Sequence, residues 1–405
     1  MGKSVKIDGE RLLEGLRLGC SWLTDVAQMQ SDELRDEKNS QRLRHDHWYG
    51  AIRGEYIAAD RQWDFFCPIW HTGQAIKALV MAHRVLGDEV LLTAAKRGAE
   101  FIGNNRISDP DRDDYGLILG FEDVGDGVNT SAVLESLDGL FYLSEATGDD
   151  TYRDWAIDAL AWVARKMYLP GQGLFMDLFS TATWKPEPSH WANRQPYPGR
   201  PLIDDGVFLK GYRLTGNEGW RDLFYEVAER LLEEEEPAGN WIRFIPCNKA
   251  TGYIHPRQAY WWGRPMLMAY SDSGDERYLE CAKRSGRWYM KAQRRDGGLF
   301  RGTYIDFTTD SFGHATSGIA CAAVLWLELY QITGEGMWLE PTGLALKHCL
   351  RMQFTNPTDP NLRGAVLEKV LPPDGTDRLP YRVRDLGTIF FCQAAALALE
   401  SGVIE

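Results

Sequence analysis

One helix–turn–helix phrase recurs along most of the chain, at intervals of about sixty residues. An apolar-periodic stretch ends at a glycine, an acidic residue or asparagine follows, and a second amphipathic stretch comes next, as in KALVMAHRVLGDEVLLTAAKRGAEFI. Glycine readily adopts the left-handed conformation that ends a helix, and the acidic residue or asparagine caps the next helix. The turn glycines are Gly87, Gly148, Gly216, Gly274 and Gly334. The spacing therefore predicts a series of helical hairpins.

The apolar periodicity predicts twelve helices in two sets. The first members of the hairpins lie near 72–86, 130–146, 203–214, 258–272, 317–332 and 386–400. The second members lie near 89–104, 150–167, 219–235, 276–292 and 337–353, and one further helix lies near 9–28. The first members are more apolar and richer in small residues, whereas the second members carry charged stripes. This difference indicates an inner, doubly buried layer and an outer, half-solvated layer.

The helices at the two ends of the series each lack a hairpin partner. We therefore expect the helix near 9–28 to pack on the helix at 386–400 and close a ring. The predicted fold class is all-α, an (α/α)6 toroid of twelve helices that forms a single domain over residues 1–405. The alternative is an open solenoid that binds protein partners, although solenoid repeats of roughly 20–47 residues are shorter than these.

Composition narrows the classes of partner. The net charge of −13 argues against a protein that mainly binds nucleic acid. No apolar run is long enough for a membrane span, and no secretory apolar segment follows the first basic residues, so we expect a cytoplasmic location and no membrane partner. The seven cysteines are scattered without a CxxC pair, which predicts buried free thiols. Nothing in the sequence indicates the oligomeric state.

Known cofactor and metal motifs are absent from the sequence. No phosphate-binding glycine motif, nucleophile elbow or HExxH occurs, which disfavours nucleotide-dependent enzymes, serine hydrolases and zinc peptidases. His45, Asp46 and His47 have the wrong spacing for one helix face and no partner motif. We therefore expect neither a metal nor another cofactor.

In a toroid the connections that lead into the inner helices gather at one mouth. These connections mix Trp, Tyr and His with Arg and Asp, a combination that suits sugar rings and their hydroxyls, although about half of the tryptophans are expected to be core residues. The candidates for binding an anion or a hydroxyl are His71, His190, His255, Arg257, Gln258 and His314. A solvated loop cluster is the alternative interpretation of the set.

Three acidic residues are the catalytic candidates. Asp204 and Asp205 begin the third inner helix. An acid at this position is commonly a helix cap, but this helix start also faces the predicted mouth of the toroid. A carboxyl group that donates a proton needs a raised pKa, which burial among aromatic residues can supply. Asp138 is a charged residue within an otherwise apolar inner helix.

Three segments resemble one family of enzymes. LIDDGVFLKGYRLTGN, HPRQAYWWGRPMLMAYSDSGDERYLECAKR and TTDSFGHATSGIACAAVLWLELYQITGE are similar to inner-helix segments of unsaturated glucuronyl and rhamnogalacturonyl hydrolases, glycoside hydrolase families 88 and 105. The resemblance implies that Asp204 is the proton donor and that Arg257, Gln258 and Trp261 bind substrate. The family's second Asp follows a His, which Asp138 lacks, so Asp123 and Asp126 compete for that role.

The resemblance also implies a reaction. Asp204 would protonate C4 of a 4,5-unsaturated uronic acid at the end of an oligosaccharide and activate water to add at C5. Arg257 or Arg194 would hold the uronate carboxylate. The candidates for stacking on the sugar are Trp70, Trp191, Trp261 and Trp262.

Other activities of the same fold class remain as alternatives. Hydrolysis of an intact β-glucuronoside would use Asp204 or Asp205 with a second carboxylate such as Asp138. A polysaccharide lyase would need a base, for which Tyr260, His255 and His314 are available. Sugar 2-epimerases share the TGD-type turn, and the non-enzymatic alternative is the helical scaffold.

Overall fold

A computed structural model describes residues 5–34, 44–122, 126–189, 195–309, 313–368 and 382–404. Twelve α-helices lie within these residues. In chain order they are α1 Gly9–Ser21, α2 Pro68–Leu86, α3 Glu89–Asn104, α4 Thr130–Thr147, α5 Asp150–Lys166, α6 Val207–Thr215, α7 Glu218–Glu233, α8 Gln258–Ser273, α9 Glu276–Ala292, α10 Thr316–Thr333, α11 Leu339–Met352 and α12 Leu386–Glu400. The predicted number and order of helices are confirmed.

The even-numbered helices form a closed inner ring. Helix α2 contacts α4, and α4 contacts α6. The turn Asp204–Gly206, which precedes α6, contacts α8 and so links α6 to it. Helix α8 contacts α10, and α12 contacts both α10 and α2, which completes the circle. Each inner helix packs on one outer helix, and α1 is the outer partner of α12. The fold is thus the all-α (α/α)6 toroid, and the open solenoid is wrong.

The hairpin turns follow from their local sequence. Each turn glycine has a φ between 64° and 71°. Asp88, Asp149, Asn217 and Asp275 then each accept a hydrogen bond from the backbone N–H two residues later. The expectation of a cap was wrong at Glu335, whose longer side chain accepts a hydrogen bond from Lys283 Nζ at 2.9 Å instead. A 3₁₀ turn, Gly336–Trp338, leads into α11 there.

Helix boundaries differ from the prediction at two further places. The predicted helix near 9–28 is α-helical only to Ser21 and continues as a π-helical segment, Trp22–Ala27. The predicted helix over 203–214 begins instead as a short 3₁₀ turn, Asp204–Gly206, before α6. The first difference is a local change of helical pitch and the second is a turn with left-handed residues, and an apolar period reveals neither.

Short antiparallel strands occupy the connections before the inner helices. They are β1 Gly54–Ile57, β2 Gln62–Phe65, β3 Gly127–Asn129, β4 Tyr168–Leu169, β5 Leu174–Met176, β6 Leu178–Ser180, β7 Lys185–Glu187, β8 Gly199–Arg200, β9 Tyr253–Ile254, β10 Thr303–Tyr304 and β11 Arg382–Arg384. Their sheets have the orders β11-β1-β2, β3-β6-β7, β4-β5-β8 and β10-β9. Because these sheets precede inner helices, they give defined conformations to the connections that form the mouth.

Close packing of α2 on α4 depends on two glycines. A Cβ atom at Gly139 would collide with the carbonyl oxygen of Gly73, and a Cβ at Gly73 would collide with the backbone at Ser136. This close approach brings together polar side chains that lie within one helical turn of these glycines, among them Lys77 and Asp138. All seven cysteines are free and buried, as the sequence predicted. None of the described helices is long and apolar enough to cross a membrane.

Candidate functional site

The turn before α6 places two adjacent acidic side chains in different surroundings. Asp205 has a φ of 52° and Gly206 a φ of 63°, so two consecutive residues are left-handed. At Gly206 a side chain would also collide with the sulfur of Met268. A left-handed non-glycine residue costs about 1–3 kcal/mol and persists only where its surroundings hold it. The left-handed conformation of this turn is therefore held in place by the surrounding structure.

Asp205 lies inside the ring and is held by cations. Its Oδ1 accepts hydrogen bonds from Lys77 Nζ and Arg264 Nη1, both at 2.7 Å, and its Oδ2 accepts one from Gln74 Nε2 at 2.9 Å. Burial opposes ionisation, but Lys77 and Arg264 outweigh it and hold the pKa of Asp205 well below its usual value. Asp205 is thus a buried, fully paired carboxylate.

Asp204 is also buried but lacks such pairing. Only 3% of its surface is exposed, and its Oδ2 has no hydrogen-bond partner among the described residues. Burial raises the pKa of Asp204 to about 7, with the charge of Asp205 adding to the effect and Arg200 opposing it. A carboxyl group with this pKa can hold a proton near neutral pH and release it, as a general acid must.

Asp138 belongs to the same ion-paired set as Asp205. Its Oδ2 lies 2.8 Å from Lys77 Nζ, and its Oδ1 accepts from Lys210 Nζ. Arg264 links Asp205 to Glu328 through two guanidinium contacts of 2.7–3.0 Å. We call the six side chains of this set, which are Lys77, Asp138, Asp205, Lys210, Arg264 and Glu328, the ring network. The structure thus places two catalytic candidates, Asp138 and Asp205, among cations inside the ring.

Glu135 is a further acidic residue of the site that the sequence analysis missed. It is 5% exposed, and its Oε2 accepts a hydrogen bond from Trp261 Nε1 at 3.1 Å. Burial raises the pKa of Glu135 well above its usual value, and the charges of Asp204 and Asp205 raise it further. The signal that singled out Asp138, an acid in an apolar inner helix, applies equally to Glu135 three residues earlier.

An aromatic wall with an embedded guanidinium lies beside Glu135. His255 stacks on Trp261 with ring centroids 4.8 Å apart and an angle of 5° between the planes. The Arg257 Cζ lies 5.2 Å from the Trp261 ring centroid and 5.3 Å from that of Trp70. Four predicted binding residues, His255, Arg257, Trp261 and Trp70, are thus brought into one cluster. We call the surface formed by Asp204, Glu135, Arg200, His255, Arg257, Trp261 and Trp70 the bowl.

Arginines give the bowl a positive field on one side. Arg257 Nη1 donates to Ser317 Oγ at 2.8 Å and lies 3.5 Å from Glu368 Oε1, which Arg301 Nη1 also contacts at 3.3 Å. Burial lowers the pKa of His255 well below its usual value, and the charges of Arg257, Arg301, Arg384 and Arg200 lower it further. His255 is therefore a neutral imidazole, and its Nδ1 accepts a hydrogen bond from the backbone N–H of Arg257.

Of the remaining predicted site residues, His71 lies against the bowl, with its ring centroid 5.0 Å from that of Trp70. His71 Nδ1 lies 2.5 Å from Asp385 Oδ1, and both side chains are fully buried. Gln258 donates to the backbone carbonyls of Trp241 and Phe244, and Trp262 packs edge to face against the rings of the same two residues.

The ring centroid of His314 lies 6.4 Å from that of His348 on the outer helix α11. Asp126, a competitor for the second acid, is exposed. His190, Trp191, Arg194 and Asp123 lie outside the described residues.

A metal site is not formed by the described residues, in which no group of three or more His, Cys, Asp or Glu side chains could hold an ion. His45, part of the triplet considered from the sequence, is buried and lies with its Nδ1 2.9 Å from Asn105 Oδ1. Among the described side chains of the bowl, carboxyl, imidazole and guanidinium groups can transfer a proton or bind an anion.

Comparison with known proteins identifies similar folds but no similar sequence. No family model matches the chain, and no curated protein is similar to it in sequence. Among solved structures, an unsaturated glucuronyl hydrolase specific for heparin superimposes with a TM-score of 0.71 at 14% identity, covering 97% of this chain and 98% of that one. At this identity the likeness establishes the (α/α)6 fold and not the activity.

Two further solved structures span almost the whole chain. An unsaturated glucuronyl hydrolase from Bacillus sp. GL1 has a TM-score of 0.67 at 14% identity and covers 96% of both chains. A sugar epimerase from a ruminal bacterium has a TM-score of 0.66 at 16% identity and covers 96% of this chain and 99% of that one. The toroid predicted from the sequence is thus the fold of enzymes with different chemistries.

Proposed function

We propose that the protein is a carbohydrate-active hydrolase that removes a 4,5-unsaturated uronic acid from the end of an oligosaccharide, with the toroid acting as one catalytic domain. The observation that carries the proposal is the state of Asp204. It is a buried carboxyl group in the turn at the N-terminus of the inner helix α6. Its Oδ2 has no hydrogen-bond partner among the described residues, and its pKa is raised to about 7. Such a group suits the protonation of a carbon atom by a general acid.

In the proposed reaction Asp204 transfers its proton to C4 of the sugar, the π electrons of the C4=C5 bond form the new C4–H bond, and C5 is left as an electron-deficient centre joined to C4 by a single bond. Water adds its oxygen to C5 and returns one proton to Asp204, so the carboxyl group is regenerated. The product at C5 is a hemiketal, which opens and releases the next sugar. This hydration needs one acid/base group rather than the two flanking carboxylates of ordinary glycosidases.

The arginines of the bowl would bind the uronate carboxylate. Arg257 is 2% exposed, and it shares the one carboxylate of Glu368 with Arg301. An anionic substrate would add negative charge where the guanidinium groups outnumber their partner. Trp70 and Trp261 each hold Arg257 over a ring face, so their proposed work is to orient this guanidinium as well as to contact the sugar.

Two independent similarities support the substrate class. Short segments around Asp204 and Arg257 resemble those of unsaturated glucuronyl hydrolases, and two solved structures with the same fold are such enzymes. One of them is described as responsible for the degradation of glycosaminoglycan. These similarities point to uronate-containing oligosaccharides as the first compounds to test.

The test is a direct assay with unsaturated disaccharides prepared from several polyuronates. The conjugated C4=C5 bond absorbs in the ultraviolet, so turnover is measured as loss of this absorbance together with release of the neighbouring sugar. We expect loss with at least one disaccharide. No loss with any of them, combined with cleavage of an aryl β-glucuronide, would replace the proposal by hydrolysis of an intact β-glucuronoside.

A base-catalysed reaction is the second candidate, because His255 offers a neutral buried imidazole beside several arginines. A neutral imidazole can abstract a proton next to a carboxylate or carbonyl group, as a lyase or an epimerase requires. The two activities have separate readouts. A lyase would raise the ultraviolet absorbance of an intact polyuronate, and an epimerase would incorporate deuterium from heavy water into recovered sugar. Either result would favour His255 over Asp204 as the reacting group.

A further inference from the structure

Asp205 has no part in the proposed reaction, yet it is the most strongly held acid near Asp204. Gln74 and Lys77 on α2 and Arg264 on α8 each contact its carboxylate at 2.7–2.9 Å. All four groups are buried within the ring. The carboxylate therefore ties the turn before α6 to two other inner helices.

This attachment accounts for the unusual backbone of the turn. Asp205 has a φ of 52° and a ψ of 5°, a left-handed conformation that a non-glycine residue keeps only where the surroundings fix it. The hydrogen bonds from Gln74, Lys77 and Arg264 supply this constraint. Because Asp204 precedes Asp205 in the same 3₁₀ turn, contacts that fix the backbone of Asp205 also restrict the backbone of Asp204, from which its side chain extends.

We propose that Asp205 is a positioning residue that holds the Asp204 carboxyl group in the bowl and keeps it protonated through its own fixed negative charge. The inference rests on the proposed role of Asp204 as proton donor. It assigns to the ring network a role besides stability. The network keeps Asp205 ionised beside Asp204, which must stay neutral to donate a proton.

The charges around Asp204 give the sign of the effect. The groups that act on it directly are Arg200 before the turn, Asp205 next to it and Glu135 on α4. Beyond Asp205 lie the other members of the ring network, which are Lys77, Asp138, Lys210, Arg264 and Glu328. With Asp205 ionised, the three cations of the network balance its three carboxylates. Removal of the Asp205 charge leaves excess positive charge beside Asp204, which favours ionisation of Asp204 at lower pH.

The decisive variant is Asp205→Asn, because asparagine tolerates the left-handed backbone and keeps the side-chain shape. We expect the alkaline limb of the kcat/KM profile to move to lower pH by about one to two units. The matched control is Glu328→Gln, the same change one cation further from Asp204, for which we expect a much smaller shift. A folded Asp205→Asn enzyme with an unshifted limb would overturn the proposal.

Gln74→Met keeps every charge of the network and removes the hydrogen bond from Gln74 to Asp205, together with the bonds that Gln74 makes to the Glu135 carbonyl oxygen and to Gln393, so it serves if Asp205→Asn does not fold. We expect a lower kcat, an alkaline limb at the wild-type pH and little change in KM, because positioning is impaired but charge is not. An unchanged kcat in folded Gln74→Met would contradict the positioning role.

An infrared titration of the protonated carboxyl band separates this inference from the proposed function, since it needs no substrate. The Asp204 band is identified by its loss in Asp204→Asn. We expect its midpoint to be lower in Asp205→Asn than in the wild-type chain. An inactive wild-type protein that shows this shift would overturn the proposed function alone, whereas equal midpoints would overturn the inference whatever the activity.

Discussion

The bowl and the ring network both bury carboxyl groups, but only the ring network pairs them closely with lysine and arginine. In the ring network Asp138 and Asp205 each contact lysine or arginine at hydrogen-bond distance. In the bowl Asp204 and Glu135 are equally buried, and burial raises the pKa of both. The peptide bond between Asp204 and Asp205 joins the two regions directly.

The difference shows how the fold assigns two roles to one residue type. Desolvation disfavours a buried carboxylate unless cations offset it, so pairing decides which group is ionised. The ring interior supplies Lys77 and Arg264 from α2 and α8, whereas the bowl turns its arginines toward Glu368 and Asp177. Charge is thus fixed in the interior and remains adjustable in the bowl.

The largest effect is expected from Asp204→Asn, which removes the proposed proton donor of the bowl. Turnover of the unsaturated disaccharide should fall by at least about 10³-fold, since a general acid contributes on this order. Steady-state kinetics measure the loss, and circular dichroism should show wild-type helical content because no helix contact changes. Retained activity would remove Asp204 from the mechanism.

Lys77→Met tests the ring network by its stability. The substitution leaves Asp138 and Asp205 with one cation fewer, and breaking a buried ion pair costs about 3–5 kcal/mol. Denaturant unfolding should show this loss. Lys210→Met is the control because the Lys210 side chain is 22% exposed, so solvent can replace it and the loss should be smaller. Equal losses of unfolding free energy in Lys77→Met and Lys210→Met would contradict the greater contribution expected of the buried lysine.

The two regions should also differ in how their acids make stability depend on pH. Asp204 has a folded pKa of about 7, above its unfolded value, so between pH 4 and 7 the native state holds a proton that the unfolded chain has released. Its contribution to stability therefore falls as pH rises through this window, by roughly 3–4 kcal/mol in all.

Unfolding measured from pH 5 to pH 8 in wild type and Asp204→Asn isolates this contribution. Asp204→Asn should have the flatter dependence. Parallel curves would mean that Asp204 is already ionised at pH 5.

The smallest expected effect is that of Arg257→Ala on affinity. Loss of a charge-assisted contact to the uronate should raise KM by about ten-fold or more with a lesser change in kcat, as such contacts contribute about 1.5–3 kcal/mol. Arg382→Ala is the control, because Arg382 is 38% exposed and pairs with Glu55 and Asp64 rather than with the bowl. A KM equal to that of the wild type would exclude Arg257 from carboxylate binding.

Much of the fold could be read from the sequence because it is encoded locally and repeatedly. The glycine turns and amphipathic periods predicted twelve helices, their pairing and the closure of the ring, and the structure confirms each of these. The errors are of pitch and detail: the π-helical end of α1, the 3₁₀ start before α6 and the missing cap at Glu335. These depend on contacts with neighbouring elements that periodicity does not describe.

The candidate site was less accessible to sequence reasoning. The acids at 204 and 205 were both identified. The sequence of two adjacent aspartates does not tell which one has a raised pKa and which one is paired with cations. Glu135 was overlooked in the same helix as Asp138, and the mouth strands were not predicted. Gln258 and Trp262 lie next to Arg257 and Trp261 in sequence but pack against Trp241 and Phe244.

The sequence by itself determined a closed double ring of helices, because helix ends, turns and apolar faces are written within a few residues of one another. Only the tertiary structure decided which buried acid is charged. That outcome depends on Lys77 and Arg264, which lie 128 and 59 residues from Asp205 along the chain and meet it only when the ring closes. The pKa of a buried group is a property of its assembled surroundings, and local sequence does not contain them.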